Sequence, residues 1–258
     1  MKKYLCLLLV LLMSLPLAAC GGQSGQVELH VFAAASLTET MDQIIETYKA
    51  EAPGVTVIPT YDSSGTLLRQ LREGAECDLF LSAAQKQMDA LEEDGSLLAD
   101  TRTDLLENKV VLAVPQGNPK GIGSFDQLAR LLEEGGVFLA VGDSDVPVGQ
   151  YTQKIFAFYG LDEERLAPCL SYGSNVKEVT THVAEGSVDC GIIYATDAAS
   201  AGLAVADTAT AEMCGQVVYP AAVLNGSKHP DEARAFLDYL RTAEAGAVFE
   251  RVGFTALR

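Results

Sequence analysis

The sequence predicts an α/β protein of two lobes, each a mostly parallel sheet flanked by helices. Three observations carry that expectation. Strand-like and helix-like segments alternate almost to the C-terminus. Roughly 230 residues remain behind an N-terminal leader, and two lobes fit that length better than one large core. Several strands run into small or hydroxyl residues and then directly into a helix, as in an open sheet whose strand C-termini share one edge.

The leader comes first in the chain. Lys2 and Lys3 precede an apolar run from Leu5 to Met13, which is too short to cross ~30 Å of hydrocarbon and reads as a signal peptide. Leu17-Ala18-Ala19-Cys20 resembles the bacterial lipobox, in which the cysteine becomes the lipidated first residue of the mature chain. Residues 1–20 are therefore read as signal peptide and 21–26 as a flexible glycine-rich tether. Anchoring by lipid at Cys20 would hold the protein at a membrane face without spanning it. The plain alternative is a secreted protein in which Cys20 is incidental. No other segment is long and apolar enough to span.

Val27 to Ala34 alternates and then turns apolar, as a strand entering a core. Val55 to Ile58, Cys77 to Leu81, Lys109 to Val114, Val137 to Val141, Cys169 to Tyr172 and Val188 to Tyr194 follow as strands, with two more at Val217 to Tyr219 and Ala221 to Leu224. Between them, Leu37, Met41, Ile44, Ile45 and Tyr48 share one helical face. Leu67, Leu68 and Leu71 form another, and Val176, Val179 and Val183 a third. Near the end, Ala233, Phe236, Leu237 and Leu240 make a fourth stripe, and a short helix runs to Phe249.

The net charge of −17 argues against nucleic acid and against a long-range electrostatic funnel for anions. Any anion site must work locally. Cys77, Cys169, Cys190 and Cys214 allow three pairings, none with zinc spacing, and disulfides and buried free thiols both remain open.

The informative pattern lies at the strand ends. Ser36-x-x-Glu39 has the form of a capping box. Ser63-Ser64-Gly65-Thr66 precedes the Leu67 helix, Val146-Pro147 puts proline at a natural first-turn position, and Asn175 precedes Val176. Each alone is a helix start. Together, helix N-termini converging on one crevice supply unpaired N–H groups and positive partial charge, an anion site that needs no lysine or arginine.

Enzyme motifs are missing from this pattern. Ser63-Ser64-Gly65 is not a nucleophile elbow, and no phosphate loop with a following lysine occurs. His30, His182 and His229 are scattered. Asp62, Asp78, Asp143, Asp145, Asp189 and Asp197 sit at strand ends, where aspartate usually caps a turn. A lipid-anchored hydrolase using Ser64 is the rival from another class.

From Val31-Phe-Ala-Ala-Ala-Ser36-Leu-Thr onward, the chain resembles the molybdate-binding proteins of ABC transporters, which have a periplasmic-binding-protein fold. The likeness continues through Ser63-Ser64-Gly65-Thr66-Leu67, Asp78-Leu79-Phe80-Leu81-Ser82-Ala83, Val141-Gly142-Asp143, Gly191-Ile192-Ile193-Tyr194-Ala195-Thr196-Asp197-Ala198 and Arg251-Val252-Gly253-Phe254. The resemblance implies a non-enzymatic, monomeric receptor at the outer face of the cytoplasmic membrane. It would bind molybdate or tungstate and deliver it to an ABC permease and, through that, its ATPase. No cofactor is implied, and molybdenum enters only as the oxyanion, with no protein atom bonded to the metal. A receptor for sulfate or phosphate on the same fold is the alternative.

By the same resemblance, Ser36 and Ser64 on one lobe face the amides of Val148 and Val176 and the hydroxyl of Tyr194 on the other. The loop before Val148 is one residue shorter than the family's, and alanine is common in the family where Val148 stands. Lobe 1 is expected over 27–109 and 221–258, and lobe 2 over 110–220. Two strands would cross between them, near Asn108 to Val110 and near Tyr219 to Ala221.

Overall fold

The structure, a computed structural model, describes residues 26–257. The signal segment, Cys20 and residues 21–25 of the tether lie outside the described residues.

The first lobe opens with β1 (Val27–Ala34), a short 3₁₀ turn over Ala35–Leu37, α1 (Thr38–Glu51), β2 (Val55–Asp62), α2 (Ser64–Arg72), β3 (Leu79–Leu81), α3 (Gln85–Glu93) and β4 (Thr103–Asn108). The second contains β5 (Val110–Val114), α4 (Phe125–Glu133), β6 (Leu139–Gly142), α5 (Pro147–Tyr159), α6 (Glu163–Leu166), β7 (Leu170–Gly173), α7 (Val176–Ala184), β8 (Cys190–Tyr194), α8 (Ala195–Ser200) and β9 (Ala204–Thr208). After α9 (Ala211–Cys214) the chain returns to the first lobe with β10 (Val217–Val223), α10 (Pro230–Leu240), α11 (Ala243–Arg251) and β11 (Thr255–Ala256).

Two sheets result, in the orders β11-β4-β10-β3-β1-β2 and β7-β6-β8-β5-β9. Both are mixed. β1 runs parallel to β2 and β3, and β6 parallel to β7 and β8, because helices connect the strands in those parts. β4, β5 and β10 pair antiparallel with their neighbours, since strands that pass between lobes enter a sheet without a helical crossover inside it. The expectation of mostly parallel sheets therefore applies to the βα halves, not to the strands next to the crossings.

The first crossing is a single residue, Lys109, between β4 and β5. The second lies earlier than Tyr219 to Ala221. β10 pairs with β4 from Val217 onward, so the chain changes sheets between Thr208 and Val217. The two strands expected at Val217 and Ala221 are one, with a register shift between Tyr219 and Pro220. Proline lacks the N–H that the ladder needs, which bends the strand without ending it. β4, β9, β11, α3, α4, α6, α8 and α9 are additional to the elements expected from the sequence.

Alternation along β1 sends Leu29, Val31 and Ala33 into a core with Met41, Ile44 and Tyr48 of α1, and Phe32 into a second cluster with Leu67, Phe80 and Met88. Helices thus cover both faces of the sheet, and each fully buried Leu or Phe contributes about 1.5–3 kcal/mol. The packing fixes the strand ends, from which the cleft is built.

Candidate functional site

A small cavity between the lobes is lined by Ser36, Ser64, Val148, Val176 and Tyr194, with Ala34, Ala35, Ser63, Ala83, Val146 and Pro147 completing it. All five residues singled out in the sequence are gathered there.

Ser36 sits in the 3₁₀ turn after β1, nearly buried, with Oγ 2.9 Å from Tyr219 Oη. The capping box does not form. Leu37 occupies the N-cap of α1 without a side-chain bond, and the Glu39 carboxylate instead takes the Lys177 ammonium at 2.8 Å. The turn interposed between strand and helix lifts Ser36 off the helix end that a capping box requires.

Ser63 and Ser64 divide their duties. Ser63 caps α2, accepting the Thr66 N–H at 3.1 Å and donating to Thr66 Oγ1 at 3.0 Å, so its proton is already committed. Ser64 is completely buried, and its Oγ accepts the Ala83 N–H at 2.9 Å. An oxygen filled from behind by a donor keeps its own proton for the cavity.

The second lobe offers mainly backbone. Pro147, at the first position of α5, has no N–H, so the first free donor of that helix is the amide of fully buried Val148. Asn175 caps α7 by accepting the Glu178 N–H at 3.1 Å, which leaves the Val176 amide at the helix start without an intrahelical acceptor. Tyr194 closes β8 and is only 1% exposed. Its ring lies edge-on to Tyr219 and Tyr151, at centroid distances of 5.8 and 6.3 Å. Its Oη has no hydrogen-bond partner; the Tyr219 hydroxyl is near enough to be felt electrostatically but is not aligned with it. Burial above all, then the neighbouring Tyr219, Tyr151 and Asp197, hold the Tyr194 phenol well above its ordinary range. It remains a neutral donor. An unpaired buried hydroxyl costs about 1–3 kcal/mol, which a ligand oxygen would recover.

Among the described residues, no cation lines the cavity. Lys177, beside it in sequence, is held between Glu39 of the first lobe at 2.8 Å and Asp197 of the second at 3.2 Å. Burial lowers its pKa but the two carboxylates more than offset that, so it stays charged and occupied. Asp197 is pushed up to about 6 by burial, against the pull of Lys177. Arg69 likewise reaches Asp145 across the cleft at 3.2 Å. Directly beneath, a Cβ on Gly65 would stand 2.2 Å from the Asp145 carbonyl oxygen, so the lobes meet here backbone to backbone.

A larger hollow lies around His30, Glu76, Asp78 and His229, away from the strand ends that form the cleft. Its two cations are already paired, Arg72 with Asp94 and Lys228 with Glu76, and Asp78 is engaged by His30 N–H and Ser227 Oγ–H. No histidine lines the cavity beside Ser64, so the pattern of a serine hydrolase is not assembled. Among the described residues, no group of three or more His, Cys, Asp or Glu could hold a metal ion, no helix is long and apolar enough to cross a membrane, and Cys77, Cys169, Cys190 and Cys214 are free.

A profile of bacterial extracellular solute-binding proteins matches residues 29–255. The chain belongs to that family. This solute-binding protein is 37% identical to the molybdate-binding protein ModA of Escherichia coli, over 88% of this chain and 89% of that one. It is 34% identical, over 99% of both chains, to YvgL of Bacillus subtilis, which carries the name of an ABC transporter substrate-binding lipoprotein. Its fold matches the periplasmic molybdate-binding protein of Azotobacter vinelandii with a TM-score of 0.77 at 20% identity, covering 89% of this chain and all of the other.

Two residues around the site escaped the sequence. Tyr219 was legible only as part of a crossing strand, and Asn108 only as its counterpart. Both are buried, and no local pattern marks the hydrogen bonds that join Tyr219 to Ser36, 183 positions away, and Asn108 to Tyr219, 111 positions away.

Proposed function

We propose that this solute-binding protein captures molybdate or tungstate as the intact oxyanion between its lobes and delivers it to the permease of an ABC importer. The carrying observation is one cavity lined by donors from both lobes and, among the described residues, by no charged side chain. Ser36 and Ser64 hydroxyls, Val148 and Val176 amides and the Tyr194 hydroxyl would surround the anion, with no protein atom on the metal. Each bond to a charged oxygen contributes about 1.5–3 kcal/mol net, enough in sum for micromolar or tighter binding after the cost of association.

The donor set also selects among anions. Hydrogen phosphate carries a proton that needs an acceptor, whereas no carboxylate lines the cavity and Ser64 Oγ already accepts from Ala83. A fully deprotonated dianion fits better. The molybdate named for the Escherichia coli relative favours the larger metal oxyanions over sulfate. The protein would act as a monomer without turnover, at the outer face of the cytoplasmic membrane, held by lipid on Cys20; the name carried by YvgL supports the anchor.

Calorimetric titration with molybdate, tungstate, sulfate and phosphate tests the reading. Micromolar or tighter binding of the first two, with sulfate weaker and phosphate weakest, is expected. Stronger sulfate binding would transfer the assignment to a sulfate receptor, and silence from all four would end it.

A further inference from the structure

We infer that Asn108 and Tyr219, neither of which lines the cavity, form a one-way donor relay that aims the Ser36 hydroxyl proton at the bound oxyanion. The inference rests on the proposed function. Its direction follows from the hydrogen bonds.

Asn108 is nearly buried, and its Oδ1 accepts the Lys109 N–H at 2.8 Å. That fixes the amide's orientation, so Nδ2, which only donates, faces Thr196 Oγ1 at 3.0 Å and Tyr219 Oη at 3.3 Å. Tyr219 Oη therefore accepts from Asn108. Its own proton has one aligned partner, Ser36 Oγ at 2.9 Å, because the Tyr194 hydroxyl is not in hydrogen-bonding geometry with it. Were Ser36 the donor in that pair, the Tyr219 proton would be stranded in a site 1% exposed. Tyr219 therefore donates, and Ser36 accepts from behind and must donate forward into the cavity. The Tyr219 ring is clamped between Tyr194 at 5.8 Å and Phe254 at 5.3 Å, so its hydroxyl has little freedom to turn away.

The chain Asn108 Nδ2–H to Tyr219 Oη–H to Ser36 Oγ–H is polarised throughout in one sense, and each donor strengthens the next. Its members also come from the strands beside the crossings: Asn108 ends β4 beside Lys109, and Tyr219 stands at the register shift in β10. The relay thus ties the aim of one ligand donor to the segments about which the lobes would move. Asn108 and Tyr219 are positioning residues.

The test is a double-mutant cycle by calorimetry with molybdate, on the wild type, Ser36→Ala, Tyr219→Phe and the double variant. Tyr219→Phe keeps the ring packing and should weaken binding about three- to tenfold, the range of one neutral hydrogen bond. In the Ser36→Ala background the same change should cost less than about twofold, because the relay then has no end. Asn108→Leu should repeat the pattern from the first member. Thermal unfolding of each ligand-free variant separates loss of fold from loss of aim. Additive effects in the cycle, or unchanged affinity in Tyr219→Phe, would overturn the relay while leaving the proposed function standing. A wild type that binds no tetrahedral oxyanion would remove both.

Discussion

The two walls of the cleft present the same kind of donor by different means. The first lobe uses side chains, Ser36 and Ser64, each backed by a donor from Tyr219 or Ala83. The second uses main chain at the starts of α5 and α7, aimed by Pro147 and the Asn175 cap, with Tyr194 its one side-chain donor. A side-chain donor is lost by deleting an oxygen. A main-chain donor survives any substitution, proline excepted, that keeps the helix in place. The first wall should therefore be sensitive to side-chain changes, and the second largely indifferent to them.

The sharpest break in that comparison comes from the serines. Ser64→Ala and Ser36→Ala should each weaken molybdate binding by about 1.5–3 kcal/mol, roughly tenfold to 150-fold. The two losses should be of similar size, because each change also strands one buried donor, the Ala83 N–H or the Tyr219 O–H, a cost that falls on stability in the free and bound protein alike. Equal affinity of both variants and the wild type in calorimetry would reduce the serines to structural polar groups.

Gly65→Ala tests the contact where the walls meet. A Cβ 2.2 Å from the Asp145 carbonyl forces the lobes apart or shifts the loop, and about a tenfold loss of affinity is expected in calorimetry. A variant that binds as tightly as the wild type would show that the Asp145 loop gives way freely.

Lys177→Ala should cost less than about threefold in affinity, since Glu39 and Asp197 already engage the ammonium. A hundredfold loss would mean that the anion's charge is met by a cation after all.

Val148→Ala and Val176→Ala sharpen the comparison from the other wall. Affinity should stay within about twofold, while trimming either buried side chain lowers stability by about 2 kcal/mol in thermal or urea unfolding. An affinity loss as large as that of the serine variants would remove the distinction between the walls.

Asp197→Asn acts on the pH dependence of stability, not on affinity. The folded carboxyl titrates near 6 against about 4 in the unfolded chain, so its contribution to stability is complete below pH 4 and is lost as pH rises through 6. The variant should therefore gain on the wild type in urea unfolding across that window. A constant difference between pH 4 and 7 would show that Lys177 keeps the group ionised throughout.

Most of the fold could be read from the chain, because its core strands and core-facing helices carry regular apolar spacing. β4, β9 and β11 were not, since they are short and partly polar at the first sheet's margin or the second sheet's edge. The serines and Tyr194 were visible through family likeness, and the helix starts through cap chemistry. Hidden were the long-range partners. That Ser63 is consumed by Thr66 while Ser64 is freed by Ala83 depends on β3 arriving beside α2, and that Ser36 leans on Tyr219 rather than on its own helix depends on a strand returning from the far lobe. The second crossing lies earlier than expected for the same kind of reason: only pairing with β4 from Val217 onward shows that the strand has already entered the first sheet.

The central claim is that a tetrahedral oxyanion rests between the serine wall and the amide wall. A crystal structure of the tungstate complex tests it most directly, through the anomalous signal of tungsten. One peak is predicted in the cleft, its oxygens within about 3 Å of Ser36 Oγ, Ser64 Oγ, the Val148 and Val176 amides and Tyr194 Oη. A peak seated instead against Lys177 or Arg69, or in the hollow around His30 and Lys228, would contradict the account.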